Sequence, residues 1–182
     1  MNHAAFRLTG LIGVTLLLAG CASVPETRYF TLDAGDHRAS APEKTLGVHR
    51  VSVPDYLDDD RIRVRPEAHR VEALPYVRWA ERIPRAMTRI LQRHFGAMSG
   101  ADRSGYLTVD IHRFEAVWGE TDRVVLVAYW RLEQGTGRAC PVQLQEPLAD
   151  RDPATLVAAK AQLVAALADR MENQLAEGHP GC

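Results

Sequence analysis

Long apolar runs are scarce in this chain of 182 residues, and the one that stands out lies at its start. From Leu8 to Gly20 the sequence is apolar, preceded by His3 and Arg7 and by no acid. A membrane-spanning helix needs about 20 apolar residues, so this shorter run, ending in small residues, does not span and stay; it has the layout of a cleaved export signal. Cysteine is nearly absent, with Cys21, Cys140 and Cys182 as the three present. No second Cys or His stands at a ligand spacing from Cys140 or Cys182, so no metal motif is read there. An excess of one charge is also missing. Lys and Arg number 22 against 23 Asp and Glu, without long blocks, and loss of Arg7 with the leader moves the formal charge from −1 to −2. A nucleic-acid footprint is therefore absent. Nor is there a glycine-rich phosphate loop, or a helical His-x-x-x-His or Glu-x-x-His pair. Ser99 lacks the Gly-x-Ser-x-Gly spacing and follows a helical pattern rather than a strand. No metal, cofactor or enzymatic activity is expected.

What is present begins with Leu18-Ala19-Gly20-Cys21, which resembles the bacterial lipobox. That resemblance implies cleavage after Gly20, leaving residues 1–20 as the removed signal, acylation of Cys21, and residues 21–26 as a lipidated tether. Each buried methylene contributes about 0.8 kcal/mol, so two or three acyl chains hold almost permanently where one holds marginally. Ala22 stands where Asp would mark inner-membrane retention, which favours the periplasmic face of the outer membrane. The remaining chain, residues 27–182, suits one domain and one core. In the periplasm Cys140 and Cys182 are free to pair, which would pin the terminal residue; an unpaired reading stays open beside it.

Arg28 to Asp33 and Thr45 to Val53 read as strands on either side of a linker-like stretch, Ala34 to Lys44. Arg61 to Arg65 and His69 to Leu74 form a hairpin across Pro66-Glu67-Ala68. From Ala80 to about Gly96, Ile83, Met87, Ile90, Leu91 and Phe95 make one helical stripe, with Pro84 tolerated only in its first turn. Tyr106 to Trp118 and Arg123 to Leu132 make a second hairpin, the latter strand central because it is apolar on both faces. Gly137 to Leu148 adds a further strand. Asp152 and Pro153 then cap a second helix striped by Leu156, Leu163, Val164, Leu167, Met171 and Leu175 and ended by Gly178. The expected fold is α+β, with two amphipathic helices packed on one face of a largely antiparallel or mixed sheet of five to six strands.

Three segments carry a family resemblance: Val51-Ser52-Val53-Pro54-Asp55-Tyr56-Leu57-Asp58, then Arg61-Ile62-Arg63-Val64-Arg65, then Arg78-Trp79-Ala80-Glu81 opening a helix. With Tyr29-Phe30-Thr31-Leu32 soon after the lipobox, their order and spacing resemble the ABC-type transport auxiliary lipoprotein family. Asp59 and Asp60 depart from the basic or proline residue usual there. The resemblance implies an outer-membrane lipoprotein subunit of a system that moves phospholipid between membranes, working with an MCE-domain protein and an inner-membrane permease. It implies further that the subunit is non-catalytic, that phospholipid contact is open to it, and that copies of the chain can assemble with one another. A stand-alone lipoprotein that stabilises an outer-membrane barrel or binds cell-wall polymer is the alternative.

The candidate partner-contact residues are Pro54, Tyr56, Leu57, Asp58, Arg65, Trp79 and Glu81. For the loop, the plainer reading is a turn with Tyr56 and Leu57 folded over the core edge; the functional one exposes an aromatic beside Asp58-Asp59-Asp60. The three acids lack the alternating ligands of a calcium loop. Trp79 is either a hydrophobic staple against Ile83 or an interface residue. Cys21→Ser is expected to yield non-lipidated protein, either unprocessed or soluble; membrane fractionation unchanged by the substitution would remove the anchor.

Overall fold

The computed structural model describes residues 24–33, 46–95, 105–133 and 138–177. Cys21, Cys182, the signal, the linker, Ser99 and the helix stop at Gly178 lie outside them. Seven strands form one sheet: β1 (Arg28–Phe30), β2 (Leu46–Ser52), β3 (Arg61–Glu67), β4 (Arg70–Trp79), β5 (Gly105–Val117), β6 (Arg123–Leu132) and β7 (Cys140–Pro147). The helices are α1 (Ile83–Phe95) and α2 (Pro153–Ala176). The α+β class matches expectation, with more strands and more parallel pairing than the hairpins suggested. β3–β4, β5–β6 and β6–β7 are antiparallel, whereas β1–β4, β2–β5 and β3–β5 are parallel.

Strand β5 organises the sheet. One of its edges carries β6 from Leu107 to Val117, and the other is shared, β2 taking Gly105 to Asp110 and β3 taking Ala116 and Val117. Between Ile111 and Arg113 its register with β6 shifts. A bulge of this kind inserts one residue and resets the alternation, so Leu107, Val109 and Ile111 before it and Phe114 and Ala116 after it all join the core. Strand β6 lies between β5 and β7, the central place that its two apolar faces demanded.

The first hairpin is tighter and longer than the sequence indicated. Glu67 pairs with Arg70, so only Ala68 and His69 turn the chain, and Pro66 stands inside β3. β4 then continues through Pro75 to Trp79 instead of stopping at Leu74. Pro75 is accommodated because Leu74, Pro75 and Tyr76 belong to no ladder pair: β3 is matched at Ala73 and again at Arg78, and β1 begins at Val77.

Helix α1 starts at Ile83, with Pro84 in its first turn, and packs on β2; α2 packs on β6 and β7, and the helices touch each other. Asp152 accepts the Ala154 N–H at 2.8 Å and Pro153 occupies the first helical position. Trp130 Nε1 donates to Gln174 Oε1 at 2.8 Å, so a core indole on β6 ends on a polar partner from α2. At the β5–β6 turn, Asp122 accepts the Gly119 N–H and both Nε and Nη2 of Arg151, at 2.6 and 3.1 Å. Cys140, at the start of β7, is buried and disulfide-bonded, with its partner outside the described residues.

Phe114 has no exposed surface and stands where β5, α2 and the rest of the core meet. Phe114→Ala is expected to cost about 3–5 kcal/mol in urea denaturation, the range for an aromatic removed from a close-packed core; a loss below about 1 kcal/mol would show that the neighbours collapse into the space.

Candidate functional site

The turn after β2 is a single 3-10 turn over Asp55–Leu57, following extended Pro54. Leu57 and Asp58 donate their N–H groups to the carbonyls of Pro54 and Asp55, at 2.8 and 3.1 Å. This geometry buries Leu57 in the core and leaves Asp55 and Asp58 exposed. Tyr56 is half-buried, and its hydroxyl donates to Glu115 Oε2 at 2.8 Å.

Glu115 is the unexpected centre of the region. It is fully buried on β5, yet it is a carboxylate. Arg65 of β3 donates Nε to its Oε1 at 2.6 Å, and Arg113 donates to the same oxygen at 3.1 Å. Burial alone would push the Glu115 carboxyl up, but the bonds from Arg65, Tyr56 and Arg113 outweigh it and hold the group below the ordinary carboxylate range. The same contact raises Arg65 still further. Tyr56 is pushed up to about 12, first by burial and then by its bond to the charged Glu115. At neutral pH Glu115 and Arg65 are thus charged and Tyr56 is neutral, its hydroxyl donating to the carboxylate. Arg65 also donates Nη1 to the Ala68 carbonyl at 2.9 Å, tying the cluster to the β3–β4 turn.

The three consecutive acids are each engaged. Asp58 reaches Arg82 at 3.4 Å, Asp60 reaches Arg78 at 3.4 Å, and Asp59 bonds Arg63 and the Arg61 N–H. They serve as arginine partners at the end of β3 and were not brought together as a ligand set. Trp79 is 4 % exposed and lies in the core, where the Lys160 ammonium stands 5.9 Å from its ring. Glu81 accepts from Arg89 at 3.0 Å and borders a groove of about 500 Å³ between β2 and α1, lined also by His49, Arg50, Arg85 and Gln92. The structure therefore joins Tyr56 and Arg65 in one constellation, places Pro54, Leu57 and Asp58 on the adjoining turn, and sets Trp79 and Glu81 apart from it.

Besides Glu115, two further groups escaped the sequence reading. Lys160 is wholly buried on α2 and donates Nζ to the Phe114 carbonyl at 2.6 Å, with the Phe114 ring 4.1 Å away. Desolvation pulls it down to about 7, against a smaller upward pull from Glu115. The signal was in the helical stripe: Lys160 stands four residues from both Leu156 and Val164, on the apolar face. The second group is His94 with Asp169 and Glu172, whose ligand atoms lie within 4.8 Å of one another. His94 Nε2 is 3.0 Å from Glu172 Oε2, and its buried Nδ1 has no partner among the described residues. A metal on Nε2 would place the ring proton on Nδ1, where no acceptor orients it, so the trio works better as a clamp between α1 and α2 than as an ion site.

Fold and site together define a small α+β domain whose buried charge cluster fixes one surface turn. The chain belongs to the ABC-type transport auxiliary lipoprotein component family, whose model matches residues 30–172. It is accordingly a membrane-anchored periplasmic component associated with ABC-type transport. No curated protein matches it in sequence. Two solved structures share its fold: a crystal structure of an uncharacterised protein, at TM-score 0.69 and 18% identity over 83% of this chain and 99% of that one, and a protein from Xanthomonas campestris, at TM-score 0.67 and 19% identity over 83% and 96%.

Lys160→Met is expected to stabilise the domain by about 1–3 kcal/mol near pH 6, the scale on which apolar replacements of buried charge act. Below pH 7 the lysine is charged in both folded and unfolded chains and its burial cost is complete. Between about 7 and the ordinary lysine value of 10.5 the folded state binds fewer protons, the native protein gains stability, and the advantage of methionine shrinks. Denaturation midpoints of both proteins across this range test it; a gain independent of pH would show that Lys160 is not held as described.

Proposed function

We propose that this lipoprotein is the outer-membrane-anchored, non-catalytic accessory subunit of an MCE-type system that moves phospholipid between membranes. The observation that carries the reading is the family match over residues 30–172 in a chain whose Leu18-Ala19-Gly20-Cys21 supplies the anchor. The site supports a binding role over a chemical one, because its titratable centre is held by three bonds and, among the described residues, no nucleophile faces a free base across it. In this reading the Pro54–Asp58 turn, held from beneath by Tyr56 and Glu115, offers Asp55 and Asp58 to an MCE-domain partner, and the ATP-driven work belongs to the permease side of the system.

The deciding experiment is capture of the native lipoprotein from detergent-solubilised membranes with mass spectrometry of what co-purifies. Recovery of an MCE-domain protein is expected, and Asp58→Arg is expected to reduce it several-fold at unchanged melting temperature. A barrel protein or cell-wall polymer recovered without any MCE protein would favour a stand-alone structural lipoprotein instead. Tyr56→Ala should lower both capture and stability, since it removes one of the bonds that keep Glu115 buried.

A further inference from the structure

Three large hydrophobic side chains are exposed among the described residues, Val24 at 80 %, Tyr29 at 66 % and Tyr76 at 45 %, and the two tyrosines stand on the neighbouring strands β1 and β4. Strand β1 pairs only with β4, beginning with Arg28 opposite Val77 and Tyr29 opposite Arg78. Tyr76 therefore stands one residue ahead of the first pair, beside the point where the N-terminal segment enters the sheet. Neither phenol has a hydrogen-bond partner among the described residues. Tyr76 also has φ of 55°, the sole non-glycine residue described with a positive value. A bulky residue in the left-handed region costs about 1 kcal/mol or more, so the corner keeps an aromatic outward in a conformation that most side chains avoid. Basic groups flank it. Arg28 and Arg61 are exposed, with Glu26 the exposed acid of the same N-terminal segment, and Arg78, opposite both Tyr29 and Arg61 in the ladders, has a 3.4 Å contact to Asp60 among the described residues.

What covers this corner is set by the chain that leads into it. Cys21 precedes Val24 by three residues and Tyr29 by eight, and an extended chain spans at most about 3.6 Å per residue. An anchor at Cys21 thus holds Val24 within about 11 Å and Tyr29 within about 29 Å of the acyl chains. Tyrosine, with an apolar ring and a polar tip, is at home in the membrane–water interface, and arginine beside it is drawn to anionic headgroups. We propose that the β1–β4 corner bearing Tyr29 and Tyr76 rests on the headgroup layer of the membrane to which the chain is tied, so that the domain has one fixed orientation instead of swinging on its tether. The inference rests on acylation of Cys21. Two weak contacts suffice for it, because the tether has already removed the cost of bringing domain and membrane together.

The test is hydrogen exchange on the full lipidated chain in vesicles of phosphatidylethanolamine and phosphatidylglycerol, beside the Cys21→Ser chain in buffer, with intact mass reporting the acyl groups first. Residues 24–31 and 74–77 are expected to exchange several-fold more slowly in vesicles, and the combined Tyr29→Ser and Tyr76→Ser variant is expected to lose that protection while α1 and α2 keep theirs. Acyl groups present with unchanged exchange at the corner would overturn the membrane face and leave the anchor standing. An intact mass without acyl groups would overturn the anchor and the face with it. Protection that grows with protein concentration in the Cys21→Ser chain, without vesicles, would assign the corner to a second copy and overturn the proposal.

Discussion

The buried Glu115 carboxylate holds together parts of the chain that backbone pairing alone joins weakly. Strand β3 meets β5 at only two residues, Val64 opposite Ala116 and Arg65 opposite Val117. Two parallel pairs are a slight register constraint, and a slip of one residue would turn Ile62 and Val64 out of the core. The ion pair from Arg65 to Glu115 crosses that junction, and the Tyr56 hydroxyl reaches the other carboxylate oxygen from the turn before β3. Removing any donor leaves a charge in the interior with fewer partners, which is far costlier than an exposed pair is stabilising.

The rest of the layout follows from how β5 is shared. Because β2 and β3 occupy successive halves of one edge, the β2–β3 connection must cross from one half to the other, and the 3-10 turn with its buried Leu57 makes that crossing. The hairpin of β3 and β4 then extends the sheet outward and offers β4 as the surface on which β1 lies parallel. The N-terminal segment consequently enters at the outermost strand, at the opposite end of the strand order from β7.

Much of this was legible in the residues, and the illegible parts share a cause. The stripes of α1 and α2, the Asp152 cap, the β5–β6 hairpin and the central place of β6 were all local or periodic signals. The parallel pairings were not, because parallel contacts join segments distant in sequence and leave no turn motif between them. Glu115 was hidden by the bulge in β5, which shifts the alternation so that an acid in an otherwise regular strand is covered by side chains from β3 and the preceding turn. The continuation of β4 past Pro75 was hidden because a proline is acceptable wherever no ladder bond is required. Tyr56 and Leu57 show the opposite case: an aromatic and an aliphatic residue next to proline suggested a turn folded over the core, and one of them is buried while the other ends on a buried acid.

Lys160 and Glu115 mark the two sides of one short piece of β5. The lysine approaches from α2 and takes the Phe114 carbonyl, and the carboxylate beside it takes Arg65, Arg113 and Tyr56 from the other face. Apolar replacements of buried charges are often neutral or stabilising, so the pair is poorly explained as a source of stability. Its geometry explains it better as a device for position. Just past the bulge, where a strand is most free to choose its register, consecutive residues are fixed from opposite faces by groups that tolerate no slip. Methylenes would fill the same volume, but they would accept a neighbouring register almost as well, and the turn carrying Asp55 and Asp58 would then lose its fixed place.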